Sequence, residues 1–117
     1  MVSLLIVDDD TRIRSLIRSI LGDLSESITE CGDGDEAQEC YRQDRPDWVL
    51  MDLVMPRMSG LEATRQLKAS DPKAKIVIVT GQADEDLRAA ARRAGACAFI
   101  SKENLFDLRQ LIQPGCS

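Results

Sequence analysis

Histidine is missing altogether from the 117 residues. Its absence excludes imidazole acid–base catalysis, histidine-ligated metal and a phosphohistidine on this chain. Positive charge is in the minority: 15 Lys and Arg against 20 Asp and Glu give a formal net charge of −5. That is the wrong sign for a nucleic-acid surface. The four cysteines, Cys31, Cys40, Cys97 and Cys116, form no C-x-x-C pair and no zinc spacing. Long hydrophobic runs are also lacking. Leu4-Leu5-Ile6-Val7 meets acids after four residues, too short for a secretion signal or a membrane span. The expectation is a cytoplasmic protein without membrane or nucleic-acid partners, its cysteines reduced and mostly packing, with Cys116 a candidate exposed thiol.

What the chain does have is short apolar runs alternating with segments of helical period, the pattern of a parallel α/β domain. Strands are expected at Leu4–Val7, around Ser27–Cys31, at Trp48–Met51, at Ile76–Val79 and at Ala96–Ile100. Between them, Asp10 or Thr11 caps a helix with Ile13, Leu16, Ile17, Ile20 and Leu21 on one stripe, with Gly22 as its stop. Gly32-Asp33-Gly34 reads as a turn before a helix carrying Ala37, Cys40 and Tyr41, closed before Pro46. Further helices carry Leu61, Thr64 and Leu67, then run from about Asp84 to Ala94 with a left-handed stop at Gly95. A last helix carries Leu105, Leu108, Leu111 and Ile112, before Pro114-Gly115. Five strand–helix units in one domain spanning residues 1–117 predict a flavodoxin-like, doubly wound five-stranded parallel sheet. Its expected strand order is 2-1-3-4-5, with five helices on both faces.

In that topology the carboxyl ends of the strands share an edge, where open α/β sheets place their ligand sites. Asp8 and Asp9 follow strand one, Asp52 follows strand three, Thr80 follows strand four and Lys102 lies just past strand five. Close carboxylates repel one another unless a cation lies between them, so this gathering needs a functional explanation. Taken singly, each has a plainer reading. Asp8–Asp10 suits a solvated strand end or a helix cap, Lys102 a surface lysine, and Thr80 a β-branched strand residue.

The ordered set resembles the receiver domains of two-component response regulators. The resemblance rests on Val7-Asp8-Asp9, on Asp52 with Met55-Pro56 and Gly60 behind it, on Val79-Thr80, on Ala94-Gly95-Ala96 and on Lys102. It implies a signalling switch and no enzyme beyond turnover of its own phosphoryl group. Asp52 would accept that group from a sensor histidine kinase or a histidine phosphotransfer protein. Mg²⁺, or Mn²⁺ in its place, would be held directly by Asp9 and Asp52, by Asp8 through water and by the Val54 carbonyl. Lys102 and Thr80 would contact phosphoryl oxygens, Phe99 is either a switch aromatic or a core filler, and helix four, strand five and helix five would present the result to an effector. Two positions depart from the family's habit: Glu103 follows Lys102 where a proline is common, and Val54 stands where many relatives carry a polar side chain.

Three other readings compete. A haloacid-dehalogenase-like phosphatase would use Asp8 as nucleophile within Asp8-Asp9-Asp10, but Thr11-Arg12 replaces the expected Gly-Thr and Asp52 stays unassigned. A flavodoxin would need a Thr/Ser/Gly-rich phosphate loop where this chain has acids. A receiver reduced to an interaction module would have lost polar positions, and all are intact.

Overall fold

The computed structural model describes residues 1–82 and 84–112, so Cys116 and Pro114-Gly115 lie outside the described residues. Five parallel strands form one sheet in the order β2-β1-β3-β4-β5: β1 is Val2–Val7, β2 Ser25–Cys31, β3 Trp48–Asp52, β4 Ile76–Thr80 and β5 Ala98–Ser101. The central strands explain themselves chemically. Ile76-Val77-Ile78-Val79-Thr80 is wholly β-branched and wholly buried, as a strand covered on both faces must be.

Side-chain alternation splits the core into two layers. Leu5, Val7, Val49, Met51, Ile76 and Ile78 face Ala37 and Tyr41 of α2 (Gly34–Asp44), Ala63 and Leu67 of α3 (Gly60–Ser70) and Ala91 of α4 (Glu85–Ala94). Leu4, Ile6, Leu50, Val77 and Val79 face Ile17, Ile20 and Leu21 of α1 (Thr11–Leu21) and Leu108 and Ile112 of α5 (Asp107–Ile112). The period of two in the strands therefore assigns each residue to a layer.

The caps are local and explicit. Asp10, Asp33, Ser59 and Asp84 accept backbone N–H groups at the starts of α1, α2, α3 and α4. Gly95 ends α4 with φ 111°, the left-handed geometry expected for it.

Several details differ from the sequence expectation. Leu16 is exposed, because about 100° of rotation per residue carries it off the stripe centred on Ile17. Gly22 keeps helical φ −58° and passes into a 3₁₀ turn, Gly22–Leu24, rather than reversing the chain. β2 starts two residues earlier than expected, pairing Ser25 with Val2, and β5 starts two later, at Ala98. The last helix is broken: a 3₁₀ turn, Lys102–Asn104, precedes α5, and Leu105 packs into the core between the two.

Candidate functional site

Register brings the site together. Val7 pairs with Met51, Asp52 with Val79, and Thr80 with Ser101, so the residues ending β1, β3, β4 and β5 are lateral neighbours. The Lys102 ammonium sits between two carboxylates, 3.1 Å from Asp8 Oδ2 and 3.3 Å from Asp52 Oδ1. Asp8 and Asp52 are buried, whereas Asp9 is exposed. One oxygen from each of Asp8, Asp9 and Asp52 lies within 4.8 Å of the others. An open cleft of about 320 Å³ is lined by Asp9, Asp10, Asp52, Val54, Thr80, Gly81, Gln82 and Lys102. The structure thus gathers every sequence-derived site residue at one edge, with Asp52 facing the cleft.

Burial, and then the charge of Asp8, push the Asp52 carboxyl up to about 6, while Lys102 and the Leu53 N–H pull the other way. Burial alone would lower Lys102, but its bonds to Asp8 and Asp52 prevail and raise it, so the ammonium stays charged. Three carboxylates against one ammonium leave excess negative charge, and all the donors offered are hard oxygens. That donor set fits a hard divalent cation. Thr80 is buried, and its Oγ1 accepts the Gln82 N–H at 3.2 Å.

The loop from Leu53 to Ser59 is fixed around this edge by contacts the sequence does not reveal. The Gly60 N–H donates to the Leu53 carbonyl at 2.9 Å, and a Cβ on Gly60 would lie 2.0 Å from the Asp52 carbonyl oxygen. Asp33, expected only as part of a turn, is a buried carboxylate bonded to the N–H groups of Arg57 and Met58. Its sequence signal was that of an N-cap: an Asp directly before a helical segment. Arg14 donates to the Asp8 carbonyl at 2.6 Å and is held by Glu30 at 2.9 Å, which anchors the end of β1 from the α1 side.

The model of the response regulator receiver domain matches residues 4–113. The chain belongs to this family. It is 41% identical over 98 residues to the chemotaxis protein CheY of Halobacterium salinarum, covering 84% of this chain and 82% of that one. It is 36% identical over 111 residues to the response regulator MprA of Mycolicibacterium vanbaalenii, covering 95% of this chain and 47% of that longer protein. Among solved structures, a two-component response regulator of the LuxR family from Aurantimonas sp. superposes with a TM-score of 0.88 at 31% identity, covering 96% of this chain and 82% of that one.

As a receiver domain the chain is a phosphorylation-dependent signalling switch, and its sheet order is the one expected. Nothing favours the phosphatase reading. Asp8, its required nucleophile, is pinned by the Asp10 N–H at 2.8 Å and by Lys102, and does not line the cleft. The two departures from family habit are accommodated. Glu103 occupies the 3₁₀ turn and uses the N–H that a proline lacks, donating it to Ser101 Oγ at 3.2 Å. Val54 is 61% exposed at the cleft mouth, so its side chain fills no core position. Phe99 is half-buried against the core, with the Arg88 guanidinium 4.9 Å from its ring centre. No helix among the described residues is long and apolar enough to cross a membrane.

Proposed function

We propose that Asp52 is the phosphoryl acceptor of this receiver, supplied by the phosphohistidine of a sensor histidine kinase or a histidine phosphotransfer protein. The observation that carries this reading is the Lys102 ammonium bridging Asp8 and Asp52 beside an open cleft. An oxygen of Asp52 forms the new O–P bond as the P–N bond to the donor histidine breaks, and the imidazole leaves. Asp9, Asp52 and the Val54 carbonyl, with Asp8 through water, would hold Mg²⁺ or Mn²⁺, which would supply neutralisation of phosphoryl charge. Lys102 places a point charge on one phosphoryl oxygen, and Thr80 donates its hydroxyl to another. Later hydrolysis of the acyl phosphate resets Asp52, so the chain turns over only its own phosphoryl group and acts on no separate substrate.

The readout is conformational. Thr80 drawn toward the phosphoryl group, with Phe99 repacking beside it, biases α4, β5 and α5 toward a second arrangement that an effector reads in the cytoplasm. Inverting a 1:99 population to 99:1 takes about 5.5 kcal/mol of differential stabilisation. Two charge-assisted contacts at about 1.5–3 kcal/mol each are of that order.

Amide shifts test the reading. Mg²⁺ followed by beryllofluoride should perturb Asp9, Asp52, Val54, Thr80 and Lys102 first, then α4 and β5, and Asp9→Ala should abolish the Mg²⁺ response. Trp48 is a poor reporter, because it begins β3 four residues from Asp52, about 13 Å along the strand. An unchanged Mg²⁺ response in Asp9→Ala would reduce the acidic cluster to a solvated strand end.

A further inference from the structure

The turn between β2 and α2 holds a buried carboxylate that the phosphoryl chemistry does not use. Asp33 is 2% exposed. Its Oδ1 accepts the Asp35 N–H at 3.4 Å, which caps α2, and also the Met58 N–H at 2.9 Å. Its Oδ2 accepts the Arg57 N–H at 2.9 Å. Two of the three donors therefore belong to the loop that follows Asp52, not to the helix Asp33 begins. Burial pushes this carboxyl up, but the N–H donors of Arg57, Met58 and Asp35 outweigh it and keep the carboxyl below its ordinary range.

A second observation points the same way. A Cβ on Gly34 would lie 2.7 Å from the Met58 carbonyl oxygen and 3.0 Å from Ala63 Cβ, so the start of α2 touches the loop backbone directly. Outside this contact the Arg57 guanidinium pairs with Asp35 at 3.1 Å and Glu36 at 2.8 Å. At its other end the loop is tied by the bond from the Gly60 N–H to the Leu53 carbonyl. Val54 lies within this tied loop, on the cleft.

We propose that Asp33 is a positioning residue for the phosphoryl site. By clamping the Arg57 and Met58 N–H groups it fixes the loop that presents the Val54 backbone beside Asp52. This rests on the reading in which the Val54 carbonyl is a metal ligand. Helix capping and clamping separate chemically in Asp33→Asn. Asparagine caps helices as well as aspartate does. It offers only one oxygen, however: kept in the Oδ1 position, which serves both the Asp35 and the Met58 N–H, that oxygen turns the NH₂ toward the Arg57 N–H, which cannot accept it. The cap survives and half the clamp becomes a clash of donors.

The test compares wild type, Asp33→Asn and Asp84→Asn. The last makes the same cap exchange on α4, where, among the described residues, the carboxylate bonds only the Asp86 N–H. Mg²⁺ affinity is read from amide shifts, folding from thermal unfolding, and loop order from amide exchange. Asp33→Asn should bind Mg²⁺ about tenfold more weakly, the scale on which partners behind a metal ligand act. Its Arg57 and Met58 amides should exchange faster, while Asp84→Asn binds Mg²⁺ normally. In wild type those two amides should exchange slowly although Arg57 lies on the surface. A folded Asp33→Asn with wild-type Mg²⁺ affinity overturns the proposal. So does rapid exchange of both amides in wild type, a measurement that stands even if the variant does not fold. Wild-type protein that binds no Mg²⁺ overturns the phosphoryl reading itself, and the positioning role with it.

Discussion

Gly60→Ala is a small change with a large expected effect. The added Cβ would lie 2.0 Å from the Asp52 carbonyl oxygen, 2.9 Å from the Asp52 carbonyl carbon and 3.0 Å from Met51 Cγ. Non-bonded contacts settle near about 3.5 Å, so α3 and β3 must part by more than about 1 Å, and neither backbone yields as a flexible side chain would. Overpacking of this kind costs about 1–3 kcal/mol, against a total stability of about 5–15 kcal/mol. For a domain of this size that corresponds to a fall in Tm of roughly 4–12 °C. Without the clash the sign would reverse, since alanine is favoured over glycine in a helix by up to about 1 kcal/mol. Gly22→Ala is the matched control. No atom of the described residues lies within 4 Å of its Cβ position and φ is −58°, so alanine there should stabilise by about 0.4–1 kcal/mol. Thermal unfolding by circular dichroism reads both variants, and Mg²⁺-dependent phosphorylation reads the displaced Asp52. A Gly60→Ala protein as stable and as active as wild type would refute the close approach of α3 to β3.

Lys102→Ala removes the ammonium from between Asp8 and Asp52 and should impair phosphorylation or the response to it. Thr80→Ala should still take up the phosphoryl group but lose the beryllofluoride-induced amide shifts in α4 and β5; a normal shift pattern would remove Thr80 from the switch. Asp52, at about 6 against an ordinary 3.8, binds more protons folded than unfolded between those values. The metal-free protein should therefore lose stability as pH rises through that window, and Asp52→Asn should flatten the slope. A ¹³C-detected Asp52 titration near 3.8 would contradict this. Val54 has neither donor nor acceptor to orient water at the cleft, so Val54→Asn should shorten the phosphorylated lifetime several-fold, measured beside Gln82→Ala because that amide also lines the cleft. An unchanged decay rate would mean that access at Val54 does not limit hydrolysis.

The order of the sheet and the edge that the candidate residues share were legible because both follow from period and position. Five apolar runs separated by helical segments left one natural winding, and the winding brought Asp8, Asp9, Asp52, Thr80 and Lys102 to one edge. What escaped were contacts between distant segments. Asp33 reads as a turn residue until the N–H groups of Arg57 and Met58, 24 and 25 positions away, are seen to bond it. Gly60 reads as a loop glycine until the Asp52 carbonyl is found against it. Leu16 was placed on the buried stripe because apolar character marks a face only to within its width, and the break before α5 depends on how Leu105 packs.

The most direct measurement is the site of the phosphoryl bond. After incubation with acetyl phosphate and Mg²⁺, borohydride reduction converts an aspartyl phosphate to homoserine, which tandem mass spectrometry locates. The account predicts one phosphoryl group per chain, conversion at Asp52 alone, and no uptake by Asp52→Asn. Undiminished uptake by that variant, or conversion at Asp8, would contradict it.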